Sequence, residues 1–171
     1  VADDSEAQRQ YEAGACDAFT TDASGLASTR AAMADPENHI ILPEIISKEP
    51  LGPVVRHGDN NWGDIVRWTY YALVAAEEKG ITKANLEEVA AKAATDPNAD
   101  PEVKRLLGIG DDDLGAMMGL DKEWAKRAIA ASGNYGEIFE SNIGTATPIG
   151  LARGLNAQWT QGGLQYAPPF R

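Results

Sequence analysis

Ser47-Lys48-Glu49-Pro50-Leu51-Gly52-Pro53-Val54-Val55-Arg56 divides this chain into two unlike halves. Two prolines and a glycine within ten residues forbid a helix, because proline lacks an N–H donor and clashes with the preceding turn. Leu51, Val54 and Val55 are apolar and suit an extended, half-buried backbone. Upstream the pattern alternates helix and strand, and downstream it is mostly helical. A stiff extended crossover between two such halves is what a two-lobed protein needs at its waist.

Upstream, Glu6–Ala13 is expected as a helix closed by Gly14. Cys16–Thr20 reads as a short buried strand. Ala23–Ala34 carries Leu26, Arg30 and Met33 at helical spacing, and Asp35-Pro36 ends it. His39–Ile46 has the clearest strand character, with Ile40, Ile41, Leu42, Ile45 and Ile46 interrupted by Pro43. This order is that of βα units, from which parallel sheets are built. Two such strands are too few to stand alone. A third candidate, Pro53–Arg56, has no partner downstream, so the remaining strands are expected from elsewhere.

Downstream, Asp59 or Asn60 is expected to cap a long helix over Trp62–Lys79, with Ile65, Trp68, Ala72 and Ala76 on its apolar face and Gly80 as its stop. Asn85 with Glu88 resembles a capping box for a helix carrying Leu86, Val89 and Ala93. Val103–Leu107 predicts a short helix. Asp121 is expected to cap a helix running through Ala131 and closed by Gly133, and a further short helix follows near Tyr135–Asn142. The chain holds no internal repeat.

The 171 residues carry 26 acidic against 15 basic side chains, a net charge of −11. Such a surface repels phosphate backbones and anionic lipid, which argues against nucleic-acid and membrane-surface partners. No apolar run approaches a membrane span, and no basic-then-apolar leader opens the chain. Its start, Val1-Ala2-Asp3-Asp4-Ser5-Glu6, reads as internal or processed sequence.

No catalytic constellation survives inspection. Gly108-Ile109-Gly110 lacks a third glycine, follows no strand and precedes three aspartates that repel phosphate. Asp111-Asp112-Asp113 lacks the alternating ligands, central glycine and distal glutamate of a calcium loop, and reads as a solvated turn. His39 and His57, the only histidines, have no second ligand at metal spacing, so neither a metal nor a cofactor is expected. Ser24 sits in no nucleophile elbow. Glu137 and Glu140 fall by spacing on the exposed side of their helix. Trp62, Trp68, Trp124 and Trp159 are read mainly as packing between the C-terminal helices and the first lobe of a two-lobed protein.

Two positions remain open on the residues alone. Cys16 is a lone cysteine, read from composition as a buried apolar thiol at a strand start. Asp22 follows a strand end and precedes a helix, where open α/β sheets place ligands, yet aspartate there is also a good helix N-cap.

Cys16-Asp17-Ala18-Phe19-Thr20-Thr21-Asp22, together with the crossover, resembles the periplasmic solute-binding proteins of amino-acid ABC transporters, in particular the general L-amino-acid-binding group. The resemblance runs from about Tyr11 to Arg171 and matches only the C-terminal half of such a protein. It implies an α/β, two-lobed periplasmic binding-protein fold of type II, present here with incomplete sheets and a helical C-terminal region. Residues 1–47 are then part of the second lobe, 48–56 a hinge crossover and strand entering the first lobe, and 57–171 a helical region packing on the first lobe. The implied function is capture of free L-amino acids in the periplasm and delivery to an inner-membrane ABC permease by hinge closure, with no catalysis. Asp22 is then the acceptor for the ligand's α-ammonium, with Thr21 lining the same pocket. Ser47, Lys48, Glu49 and Pro50 form one hinge strand. Cys16 pairs with a cysteine in the preceding half of the lobe. The partners are the free amino acid, the permease, and the N-terminal half of the same protein or a second copy that completes the sheets. The alternatives are a dehydratase on the same fold, with Asp22 and His39 or His57 as its acid or base, and a helical accessory domain that packs on a partner.

Overall fold

Helices hydrogen-bond within themselves, whereas strands need a neighbour, and the structure divides along that line. The computed structural model describes all residues, Val1–Arg171, and contains seven α-helices and four short 3-10 turns. Its only β pairings are two isolated bridges, Gly144 with Leu151 and Gln158 with Gln165. The segments expected as strands, Cys16–Thr20, His39–Ile46 and Pro53–Arg56, form no strand and no ladder. The α/β sheet expected from the sequence is therefore not built by this chain. Its apolar residues stay in the open, with Ile40 80%, Ile46 85% and Val54 96% exposed.

The chain forms two compact units, one of Val1–Leu51 with Ile143–Ala152, the other of Gly52–Asn142 with Arg153–Arg171. In the first, α1 (Asp4–Glu12) is capped by Asp3, whose Oδ1 accepts the Glu6 N–H at 2.8 Å. It buries no residue, and α2 (Ala23–Ala32) buries only Ala27. Tyr11 at the end of α1 stacks near Phe19 and His39. A 3-10 turn at Pro36–Asn38 follows α2. Ile143–Ala152 closes on itself through Leu151 N–H to Ile143 O, 2.9 Å, and Thr147 Oγ1 to Gly144 O, 2.8 Å.

The second unit has a continuous helical core. Its longest helix, α3 (Asn60–Glu78), starts where Asp59 Oδ1 accepts the Trp62 N–H at 3.1 Å. It ends before Gly80, whose φ of +66° only glycine adopts without strain. Next come α4 (Leu86–Thr95), α5 (Pro101–Leu106), α6 (Trp124–Ser132) and α7 (Tyr135–Asn142), with α6 and α7 packed on α3. Val74, Ile81, Leu86, Leu106, Leu107 and Ile129 are fully enclosed. Phe170 is also buried, lying between Trp68 at 5.4 Å and Trp124 at 6.5 Å, so the C-terminal tail fills the core.

Several local expectations change at the helix ends. Asn85 precedes α4 but pairs with Thr82 rather than with Glu88: Thr82 N–H donates to Asn85 Oδ1 at 2.7 Å, and Asn85 N–H to Thr82 Oγ1 at 3.2 Å. Asp121 caps a preceding turn through the Glu123 N–H at 2.9 Å, and α6 begins only at Trp124. The capping box lies instead at α7. Glu137 N–H donates to Asn134 Oδ1 and Asn134 N–H to Glu137 Oε2, both at 2.9 Å. Glu137 is half-buried in consequence, not exposed as spacing suggests. Trp68 and Trp124 pack in the core, while Trp62 and Trp159 stay about half exposed, at 52% and 50%.

Candidate functional site

Asp22 stands at the N-terminal end of α2 with φ −53° and ψ 144°. Its backbone carbonyl accepts the Leu26 N–H at 2.8 Å, but its carboxylate makes no capping hydrogen bond. The capping role open to it in the sequence is therefore not used. A half-buried carboxylate with no donor from its own helix retains its full accepting capacity toward a cation. Thr21, also half-buried, lies against the first turn of α2. A Cβ at Gly25 would meet its Cγ2 at 3.2 Å, a tight contact that the Thr21 side chain would have to relieve.

Cys16 is a free, exposed thiol in this chain, which overturns the buried apolar thiol read from composition. The proposed hinge residues are exposed and irregular. Ser47 Oγ donates to Glu49 Oε1 at 2.9 Å, and Leu51 N–H donates to Glu49 O at 2.9 Å.

His39 is committed to structure. Its Nε2 lies 3.2 Å from Asp35 Oδ1 and its Nδ1 2.8 Å from the Tyr11 hydroxyl. A carboxylate accepts, so the Nε2–H donates to Asp35, while Nδ1 shares a hydrogen bond with the Tyr11 hydroxyl. Hydrogen bonds from Asn38 and then His39 hold the Asp35 carboxyl below its ordinary range. His57 lies in an exposed turn. No group of histidine, cysteine, aspartate and glutamate gathers at metal-binding distance.

The second unit contains a polar cluster that the sequence did not disclose. Arg153 forms a bidentate pair with Glu77, Nη1 to Oε1 at 2.9 Å and Nη2 to Oε2 at 3.1 Å. Nε and Nη2 also donate to Asn156 O, at 3.2 and 2.8 Å. The guanidinium carbon lies 5.4 Å from the Tyr135 ring centre and 5.2 Å from that of Phe139. Gly136 makes room for the pair, since a Cβ there would come within 2.7 Å of Glu77 Oε1. Four of the guanidinium's five N–H groups are spent, so this arginine ties the tail to α3 and is not free to take a ligand carboxylate. Arg153 and Glu77 lie 76 residues apart, and no local pattern connects them. Burial raises the Tyr135 and Tyr70 hydroxyl pKa values above the ordinary tyrosine range.

Two surface grooves of about 270 Å³ each lie on the second unit. One runs over Ala90, Ala94 and Leu107 beside the Glu87–Lys126 ion pair, and the other lies between Val55 and Tyr70. Neither assembles groups suited to chemistry.

No protein-family model matches the chain. It is 70% identical over all 171 residues to the glutamate/glutamine/aspartate/asparagine-binding protein BztA of Rhodobacter capsulatus, covering 49% of that protein. It is 56% identical over 167 residues to the general L-amino acid-binding periplasmic protein AapJ of Rhizobium johnstonii, covering 47% of it. Among solved structures it superposes on an ABC transporter periplasmic binding protein from Brucella ovis with glutathione bound. There the TM-score is 0.88 and the identity 55%, over 98% of this chain and 50% of that one. The chain thus spans about half the length of the relatives it matches. These relatives are solute-binding proteins rather than enzymes, and the periplasmic location expected from the sequence is theirs. No helix of the chain is long and apolar enough to cross a membrane.

Proposed function

We propose that the whole protein, of whose relatives this chain matches about half, is a periplasmic amino-acid-binding protein of an ABC transporter, which captures free L-amino acids in the periplasm and hands them to a permease. The observation that carries this reading is the 70% identity over all 171 residues to an amino-acid-binding relative. Asp22 is the acceptor for the ligand's α-ammonium. An ammonium taken from water needs a charge-assisted partner to offset its desolvation, and an uncapped, half-buried carboxylate beside Thr21 supplies one. Binding closes two lobes about a hinge that includes Ser47, Lys48, Glu49 and Pro50. The ligand stabilises the closed state by the contacts it makes only there. The region 1–47 belongs to one lobe, 48–56 crosses to the other, and 57–171 packs on that other lobe.

The segments expected as strands supply the structural complement to this reading. Exposed Ile40, Ile45, Ile46 and Val54 lie on backbone without a ladder, which fits strands whose neighbours come from another polypeptide. That polypeptide is the other half of the same protein or a second copy.

Calorimetry on the full-length protein with L-glutamate, L-glutamine, L-aspartate and L-asparagine tests the function. Saturable binding of at least one, with no turnover of a prephenate-like cyclic acid, is the expected result. Turnover of that acid would establish the dehydratase alternative. Absence of binding to any amino acid would leave an accessory domain.

A further inference from the structure

We propose that the C-terminal loop Leu155–Tyr166 is a permanent seat for the half of the protein that lies outside this chain, with Leu155, Trp159, Leu164 and Tyr166 as its contact face. The proposal rests on the reading of the whole protein as about twice this length, and goes beyond it by naming the surface and by holding it covered with or without ligand. All four side chains are at least half exposed. Backbone bonds bring them together. Leu164 N–H donates to Leu155 O at 2.8 Å and Trp159 N–H to Gln165 O at 3.0 Å, and the Trp159 and Tyr166 rings meet edge-on with centres 5.8 Å apart. Gln165 turns the other way, where its side-chain oxygen accepts from the Tyr70 hydroxyl of α3. Side chains alternate along such a backbone, so Leu164 and Tyr166 face outward on either side of it. Gly163 lets the loop close this tightly, since a Cβ there would meet Ala157 O at 1.8 Å. A loop fixed in this way has already lost the freedom that ordering would otherwise cost on binding.

Composition and area say what covers the face. The chain carries 26 acidic and 15 basic side chains, yet none from Gly154 to Phe170 is charged. Depletion of charge with enrichment in tryptophan and tyrosine is the composition of an interface core. A partner met and released in solution is steered by complementary charge, and this face offers none. A permanent neighbour needs no steering. Four half-exposed side chains offer roughly a few hundred Å², whereas separate chains in a stable pair bury about 800 Å² each, which argues against a second copy. A neighbour on the same polypeptide faces no such threshold, because docking costs it little translational freedom. The length for such a neighbour is there, since this chain spans 49% of its 70% identical relative.

The test is hydroxyl-radical footprinting of the full-length protein, read residue by residue with mass spectrometry and with buried Trp124 as the reference. Left open, Trp159 would label about six times as fast as Trp124, in the ratio of 50% to 8% exposed. A covered face predicts equal rates, unchanged by L-glutamine and by about tenfold dilution of the protein. Labelling near the sixfold ratio overturns the proposal. Protection that fades on dilution overturns it too and assigns the face to a second copy. Protection that appears only with glutamine overturns it by assigning the face to lobe closure. p-Benzoylphenylalanine in place of Leu164 is expected to cross-link to the same polypeptide outside these 171 residues, and a link to another copy contradicts the proposal. Should that variant not fold, the wild-type labelling decides alone. Calorimetry keeps the two readings apart. Glutamine binding with Trp159 open overturns the seat and leaves amino-acid capture standing, whereas a covered Trp159 in a protein that binds no amino acid supports the seat and removes the capture.

Discussion

Arg153 meets Glu77 with both arms of its guanidinium, at 2.9 and 3.1 Å, and joins the C-terminal tail to the longest helix of the chain. The two side chains are only 17% and 15% exposed. Removing one partner of so enclosed a pair leaves the other charge without compensation. Glu77→Ala in the full-length protein is expected to lower the unfolding free energy by about 3–5 kcal/mol. Arg153→Lys keeps the charge but loses the fork, and should cost less. Urea unfolding measures both. A loss below about 1 kcal/mol for Glu77→Ala, the range of exposed pairs, would show that the tie is not structural.

Lys79 reaches Glu102 at 2.7 Å and Asp100 at 2.9 Å. The Lys79 bond holds the Asp100 carboxyl below its ordinary value of 3.8, with further help from the Glu102 N–H. The bonds to Glu102 and then Asp100 raise Lys79 above its ordinary 10.5. A depressed carboxyl contributes stability that is complete above the unfolded value and is lost as pH falls through the folded one. A raised lysine contributes stability that is complete below the unfolded value and is lost as pH rises through the folded one. Asp100→Asn should therefore reduce the loss of stability below about pH 4. Asp100 is 44% exposed, so solvent screening limits the effect to less than about 1 kcal/mol. Unfolding curves between about pH 2.5 and 7 check it, and an unchanged acid limb would show that the pair does nothing in solution.

The helices were legible because their signals are local. Asp59 caps α3, Gly80 stops it and Ala72 and Ala76 are buried, all as the sequence pattern predicts. The apolar, β-branched runs were legible, but the strands expected at them are not formed, since pairing needs a second backbone and this chain brings none to Ile40 or Val54. The capping box of Asn134 and Glu137 escaped notice although its spacing is regular, because Glu137 also binds the Lys83 N–H at 3.0 Å from a distant loop. The Glu77–Arg153 pair had no local signature at all. Of the candidate site, the sequence located Asp22 at a helix start, and only the coordinates show that its carboxylate leaves the cap unmade.

Cys16 is free and exposed within this chain. In the full-length protein it is expected to form a disulfide with a cysteine outside these residues, as suits an oxidising compartment. Non-reducing peptide mapping should recover a Cys16 peptide linked to another. Recovery of Cys16 as a free thiol would refute the pairing.

Exposed apolar residues on unpaired backbone invite association. The chain expressed alone is therefore expected to dimerise or aggregate, and sedimentation velocity will show species above its 18.2 kDa. A sharp monomer at that mass, with a cooperative thermal transition, would mean that the chain needs no second polypeptide to complete its sheets.

The most direct test of the account is a crystal structure of the full-length protein with L-glutamine bound. The account predicts the ligand's α-ammonium nitrogen within about 3 Å of the Asp22 carboxylate, the distance of a charge-assisted bond. Asp22→Ala should then cost about 2–5 kcal/mol of binding energy. A ligand seated elsewhere, or an Asp22 side chain turned back to cap α2 while glutamine is bound, would contradict it.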